Sequence, residues 1–182
     1  MSSQLSELKR SEKEAQNLIK RHNIKEPPIS VIEIAKGLGI NVIAYGFGEG
    51  VSGILVVENN KSTIGYSTSD SKVRQRFTIA HELGHFILHH NSTQPEQLFV
   101  DKNFLIKYRG CQKYSQAEIQ HEQQANSFAA ELLMPKSLIE AELVKKDYID
   151  LTESELIEEL AKVFDVSIIA MSYRLANLSI YP

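Results

Sequence analysis

Residues 76–90, "RFTIAHELGHFILHH", hold four histidines and one glutamate in a segment that otherwise has the composition of a buried helix. His81 and His85 are four residues apart, so an α-helix places both imidazoles on one face. This spacing suits two ligands of one tetrahedral Zn²⁺ ion. Glu82 adjoins the first histidine and can hold a water beside such an ion. Because these groups are costly to bury without partners, the segment predicts a zinc site with Glu82 as general base.

A catalytic zinc needs a third protein ligand and an open position for water. His89 continues the row of histidines, but it lies about 12 Å along a straight helix from His81. We therefore expect His89 and His90 at the helix C-terminus, where an imidazolium suits the helix dipole. The third ligand must come from another element.

A second apolar helix, predicted within residues 117–134, supplies candidates for this ligand. One of its faces carries Glu122, Asn126, Ala129 and Leu133. Its small residues, Ala125 and Ala129, can pack closely against Gly84. Glu122 lies at the polar end of that contact, whereas His121 points about 100° away. We favour Glu122 over His121, which predicts the His₂Glu ligation known from hydrolytic zinc sites.

The elements that precede these residues predict two helices and then a small sheet. Residues 6–22 have helical apolar spacing, and Pro27 with Pro28 ends that pattern. Ser30 is the expected N-cap of a second helix, with Gly37 or Gly39 at its C-terminus. Three short β-branched and aromatic segments follow within residues 40–67 and predict a largely antiparallel three-stranded sheet.

Helical periodicity resumes after the predicted sheet. Ser69 or Asp70 is the expected cap of the helix that carries His81. Residues 91–114 show no firm periodicity and predict a long loop. Residues 115–118, "SQAE", form a capping-box pattern that opens the second ligand helix. The fold class is therefore α+β, with helical segments at both ends.

Residues 1–135 are predicted to form one core, and residues 136–182 a helical segment that resembles a helix-turn-helix, with a tight turn at residues 165–167. A DNA-binding regulator with a vestigial or sensory zinc site is thus an alternative function. Residues 137–182 carry four basic and nine acidic side chains, a net charge of −5. Arg174 is the single cation of the would-be recognition helix. Since phosphate contacts need more basic residues, this segment is expected to pack on the core or bind a protein partner.

Composition narrows the class of protein further. The chain has 182 residues, a formal charge of −3 and a single cysteine, Cys111. One cysteine permits no internal disulfide, and the net charge argues against a general polyanion binder. Neither an apolar N-terminal run nor a membrane-length apolar segment is present in the sequence. A cytoplasmic protein is the expectation.

Two blocks, residues 74–89 ("RQRFTIAHELGHFILH") and residues 122–135 ("EQQANSFAAELLMP"), resemble in order the two signature blocks of the ImmA/IrrE family of zinc metallo-endopeptidases. The resemblance implies a zincin-like fold and one catalytic Zn²⁺. It also implies that His81, His85 and Glu122 are the metal ligands and Glu82 the catalytic residue.

Relatives in this family cleave DNA-binding repressors of mobile elements or stress responses that are often encoded nearby. The resemblance therefore implies a protein substrate, a helix-turn-helix repressor, and neither direct DNA binding nor a membrane partner. The alternative is a non-proteolytic interaction module, for example the partner of a repressor or toxin, with a structural or sensory zinc site.

Overall fold

The computed structural model describes residues 2–48, 50–58, 61–89, 97–102, 115–145, 148 and 151–180. Helix α1 spans Ser2–Arg21 and helix α2 spans Val31–Gly37. Ser30 caps α2 as predicted, because its hydroxyl accepts a hydrogen bond from the Glu33 amide at 3.4 Å. Gly39, just beyond the helix, has a φ of +77°, a conformation that glycine adopts without steric cost.

The sheet has four described strands in the order β1-β3-β2-β4. They are β1 (Ile40–Tyr45), β2 (Val51–Glu58), β3 (Lys61–Ser67) and β4 (Gln97–Lys102). Strand β2 pairs antiparallel with both β3 and β4, whereas β1 and β3 are parallel. The α+β class and the small, largely antiparallel sheet are thus confirmed.

The three predicted strands are present, and the structure adds a fourth, β4. Strand β4 lies inside residues 91–114, where no periodicity was found, and its backbone pairs with β2 from Val51 to Val57. Its sequence, "QLFVDK", has three apolar residues in succession and does not alternate. Pairing with a distant strand, rather than a local pattern, makes it a strand.

Helices α3 (Lys72–His89) and α4 (Gln116–Leu133) carry the predicted site. The cap of α3 is Ser71 rather than Ser69 or Asp70, since the Arg74 amide donates to the Ser71 hydroxyl at 3.4 Å. The predicted capping box of α4 is present, with the Ser115 amide donating to the Glu118 carboxylate at 2.7 Å.

Helices α5 (Lys136–Lys145), α6 (Glu153–Phe164) and α7 (Ile168–Leu178) follow. The predicted turn between α6 and α7 is confirmed. Asp165 ends α6 in the left-handed conformation with a φ of +52°, and Ser167 caps α7. Leu160, Phe164, Met171 and Leu175 are buried in the same apolar core as the sheet and α3. The division of the chain at residue 135 stays a prediction.

The core lies between the sheet and the helices. It includes Leu55 and Ile64 from the sheet, Ile79 and Leu83 from α3, and Phe128 and Leu132 from α4. Helix α3 therefore packs against the sheet on one side and against α4 on another. Among the described helices, none has the length and apolar character needed to cross a membrane.

Candidate metal centre

Three potential metal-binding side chains converge where α3 and α4 cross. The Nε2 atoms of His81 and His85 are 3.0 Å apart. The Glu122 carboxylate places Oε2 3.5 Å from Nε2 of His81 and Oε1 3.6 Å from Nε2 of His85. Both histidines are 3% exposed and Glu122 is 21% exposed, so the group opens to solvent on the glutamate side.

This arrangement fits one small, tetrahedrally coordinated metal ion. Two imidazole nitrogens bound to the same zinc at about 2.1 Å would lie about 3.4 Å from each other. Within the described residues, one ligand atom from each of His81, His85 and Glu122 lies within 4.8 Å of the others. A buried His/His/Glu group of this size could hold a metal ion. Its donor set suits Zn²⁺, although ligand type does not by itself exclude manganese or iron.

Asn126 orients the first histidine. Its Oδ1 lies 3.0 Å from Nδ1 of His81, one helical turn beyond Glu122 on α4. Since an amide oxygen only accepts, this contact favours the tautomer with the proton on Nδ1 of His81, which leaves the Nε2 lone pair for a metal ion. Sequence reasoning placed Asn126 on the same helix face as Glu122 but assigned it no role. That shared face was the signal that could have identified it.

Glu82 is completely buried where α3 meets β2. A Cβ placed on Gly53 would lie 3.2 Å from Oε1 of Glu82 and would overlap Cγ2 of Thr78. Because Gly53 has no side chain, the Glu82 carboxylate and the Thr78 methyl can occupy this space. The pairing of β2 with β4 also shifts between Val51 and Gly53, a bulge at the strand residues next to Glu82. Sequence reasoning did not identify Gly53.

Close packing of α3 on α4 depends on Gly84. A Cβ at this position would lie 3.1 Å from both the Ala125 Cα and the Phe128 ring, and 3.2 Å from the Ala125 carbonyl oxygen. The predicted contact between Gly84 and small residues of α4 is present at Ala125. It holds the two helices close enough for Glu122 to reach both histidines.

An aromatic ring and a cation flank His81 on the N-terminal side of α3. The Phe77 ring stacks on the His81 ring with centroids 6.2 Å apart and an interplanar angle of 29°. The Arg74 guanidinium lies 5.6 Å from the Phe77 centroid and donates to the Ser52 hydroxyl at 3.4 Å. Phe77 thereby limits the ring orientations open to His81.

His121 is absent from the described metal-ligand group, whose third member is Glu122. Tyr66 pairs with Gly53 across the sheet and therefore faces α3 as Gly53 does. His90 lies outside the described residues. The structure describes helix α3 as far as His89, but it does not describe the His89 side chain.

The sequence profile of peptidase family M78, described as an IrrE N-terminal-like domain, matches residues 35–176. The match includes both ligand-bearing helices and the sheet. The chain belongs to this family. The resemblance to ImmA/IrrE proteins is confirmed, and the matched residues include His81, His85 and Glu122, the group that could hold a metal ion.

Two further comparisons agree with this M78 assignment. A protein of Bacillus phage phi105 described as "uncharacterized immunity region protein 2" is 29% identical over 120 residues, which are 66% of this chain and 65% of the phage protein. The chain therefore matches slightly less than two thirds of that relative. A Mycobacterium tuberculosis transcriptional regulator of known structure superposes with a TM-score of 0.60 at 16% identity, over 92% of this chain and 47% of the regulator. This last likeness shows the fold alone.

Replacing Asn126 in this M78 protein should weaken metal binding without unfolding the chain. In Asn126→Ala, His81 loses the acceptor at Nδ1, so its Nε2 lone pair is no longer held toward the other ligands. Loss of such a partner typically costs about 10- to 100-fold in metal affinity. Competition with a chelator measures the Zn²⁺ dissociation constant, and Ser127→Ala on the same helix is the control. Equal affinity in Asn126→Ala and wild type would refute the orienting role.

Gly53→Ala should disturb the Glu82 pocket. The new methyl would overlap the Thr78 methyl and press on the Glu82 carboxylate, so the side chains or β2 must move. Overpacking of this kind costs about 1–3 kcal/mol of folding free energy, which thermal denaturation would detect. Gly46→Ala is the matched control, because a Cβ there meets no atom within 4 Å. If the two variants unfold at the same temperature, the steric restriction at Gly53 is refuted.

Proposed function

We propose that this chain is a zinc-dependent endopeptidase that cleaves a regulatory protein at a specific site. The observation that carries the proposal is the convergence of His81, His85 and Glu122 beside a buried glutamate, Glu82. Membership of a peptidase family supports it. A purely structural zinc site usually has four protein ligands, whereas three ligands leave a position for water.

His81, His85 and Glu122 would hold the ion. When bound, Zn²⁺ acts as a Lewis acid that acidifies water and polarises a carbonyl group. Asn126 keeps the proton of His81 on Nδ1, and the close α3–α4 packing at Gly84 keeps the three ligands together.

Glu82 would move the protons of the reaction. Its carboxylate accepts a proton from the attacking water, and the resulting carboxyl group returns that proton to the nitrogen of the leaving amine. The pocket at Gly53 excludes bulk water from this side chain, which is completely buried.

The proposed substrate is a DNA-binding repressor. One comparison points to regulation, because the phage relative is named for an immunity region. Strand β4 lies at one end of the described sheet and pairs on one side with β2. An extended substrate segment could add to such an edge through main-chain hydrogen bonds.

A DNA-binding role for α6 and α7 is not favoured. Arg174, the only cation in α7, is 5% exposed and is bound to Glu131 and to the Met134 carbonyl oxygen. It is therefore not free to contact phosphate, and the remainder of α7 has no basic residue.

The test is to incubate the purified chain with the product of the adjacent regulatory gene, with and without a zinc chelator. We expect a single cleavage of that protein, abolished by the chelator and restored by added Zn²⁺. Stable co-elution of the two proteins without cleavage would instead indicate an interaction module. Cleavage that persists in the chelator would contradict a metal-dependent mechanism.

A further inference from the structure

Two arginines connect the C-terminal helices to the two ligand-bearing helices. Arg76 lies on α3, five residues before His81, and contacts the C-terminus of α6. Arg174 lies on α7 and contacts the C-terminus of α4, the helix of Glu122. Because α6 and α7 are joined by the short turn at residues 165–167, the four helices form a closed ring.

The first contact binds α3 to α6. Nε of Arg76 donates to the Asp165 carbonyl oxygen at 3.0 Å and lies 3.0 Å from the Asp165 carboxylate, and a second nitrogen lies 3.4 Å from the Phe164 carbonyl oxygen. The last carbonyl groups of a helix have no partner within the helix and carry partial negative charge. The Arg76 guanidinium, 18% exposed, supplies both hydrogen bonds and charge there. Burial lowers the pKa of Arg76, and the Asp165 carboxylate opposes that shift.

The second contact binds α7 to α4. Nε of Arg174 donates to the Met134 carbonyl oxygen at 2.9 Å, and its guanidinium pairs with the Glu131 carboxylate. Gln16 of α1 donates to the other Glu131 oxygen at 2.9 Å. Arg174 and Glu131 are 5% and 4% exposed. Burial raises the pKa of Glu131, while Gln16 and Arg174 act against that rise.

Both contacts lie at the same end of the α3–α4 pair. His85 lies beside Glu122 and His81 beside Asn126, so α3 and α4 run antiparallel. Arg76 therefore lies at the end of the pair where α4 terminates in Met134. Along α3, the distance from Arg76 to His81 is about 7.5 Å. A change in helix separation at this end would be transmitted to the ligands, since packed helices move as stiff bodies.

We propose that α6 and α7 form a clamp that sets the separation of α3 and α4, and that Arg76 and Arg174 are its positioning residues for the metal ligands. This inference rests on the metal centre proposed above. The C-terminal helices α6 and α7 then have a function other than DNA contact, since they hold the three metal ligands at binding distance.

Arg76→Gln tests the clamp at the contact between α3 and α6. This contact is the better one to change, because the Arg76 side chain is less buried than the Arg174 side chain. We expect the Zn²⁺ dissociation constant, measured by chelator competition, to rise about tenfold, near the lower end of the range for residues that orient metal ligands. We also expect the visible absorption spectrum of the Co²⁺-loaded protein to change, because it reports ligand geometry. Arg76→Lys, which keeps the charge beside Asp165, should recover part of the affinity. Lys72→Gln removes a charge from an exposed position on the same helix and should change neither quantity.

The outcomes separate the clamp from the metal centre. If wild-type protein binds no Zn²⁺, or Glu122→Ala binds it equally well, the metal centre itself is wrong. If wild type binds Zn²⁺ through Glu122 and Arg76→Gln binds it equally well, only the clamp is wrong. Weaker Zn²⁺ binding with an unchanged Co²⁺ spectrum would also overturn the clamp, because it would indicate general destabilisation.

If Arg76→Gln does not fold, amide hydrogen exchange on the wild-type protein tests the clamp instead. Coupling between two sites is reciprocal, so Zn²⁺ should slow exchange in residues 153–178, and it should not do so in Glu122→Ala. Unchanged exchange in residues 153–178 of the wild type on adding Zn²⁺ would overturn the clamp.

Discussion

Glu82→Gln is expected to lower peptide hydrolysis by about 100- to 10,000-fold, the usual contribution of a positioned general base. Glutamine has almost the same shape as glutamate, so it should fit the buried position beside Gly53. Its amide, however, cannot accept a proton from water or pass one to the leaving amine. Since Glu82 is not one of the three converging ligands, the variant should retain its metal.

The measurement is the initial rate of repressor cleavage together with the zinc content of the purified protein. Glu140→Gln, an exposed exchange of the same type on α5, is the control for loss of one carboxylate. Cleavage by Glu82→Gln at the wild-type rate would refute its assignment as general base. Loss of zinc from this variant would place Glu82 among the ligands instead.

Glu122→Ala is expected to weaken Zn²⁺ binding by at least about 100-fold, because removing a direct ligand should exceed the effect of removing an outer partner. The two histidines would then hold the ion without a third protein ligand, and hydrolysis should disappear with the metal. Alanine is a good helix former, and Glu122 is partly exposed. The helix itself should therefore persist.

Elemental analysis after dialysis and a circular dichroism spectrum check this result. Gln120→Ala, on the same helix and exposed, should retain full zinc content and activity. His121→Ala distinguishes the two residues that sequence reasoning weighed against each other. If His121→Ala loses the metal and Glu122→Ala keeps it, the ligand assignment must be exchanged.

Local sequence features determined the elements that carry the site. The spacing of His81 and His85 requires a helix to place both on one face, and helical periodicity is a property of neighbouring residues. The capping box at Ser115 and the turn before Ser167 could be predicted for the same reason, because each hydrogen bond spans three residues. The placing of Glu122 beside the histidines followed from Gly84 and Ala125, whose small size permits a close helix contact.

Tertiary structure alone decided the surroundings of these residues. The hydrogen bond from His81 to Asn126 joins residues 45 positions apart, and the one from Arg76 to Asp165 joins residues 89 positions apart. Strand β4 and the pocket at Gly53 likewise depend on the register of distant strands and on how α3 lies against the sheet. A local pattern determines which face a side chain occupies, but the packing of the whole core determines which distant atom that face meets.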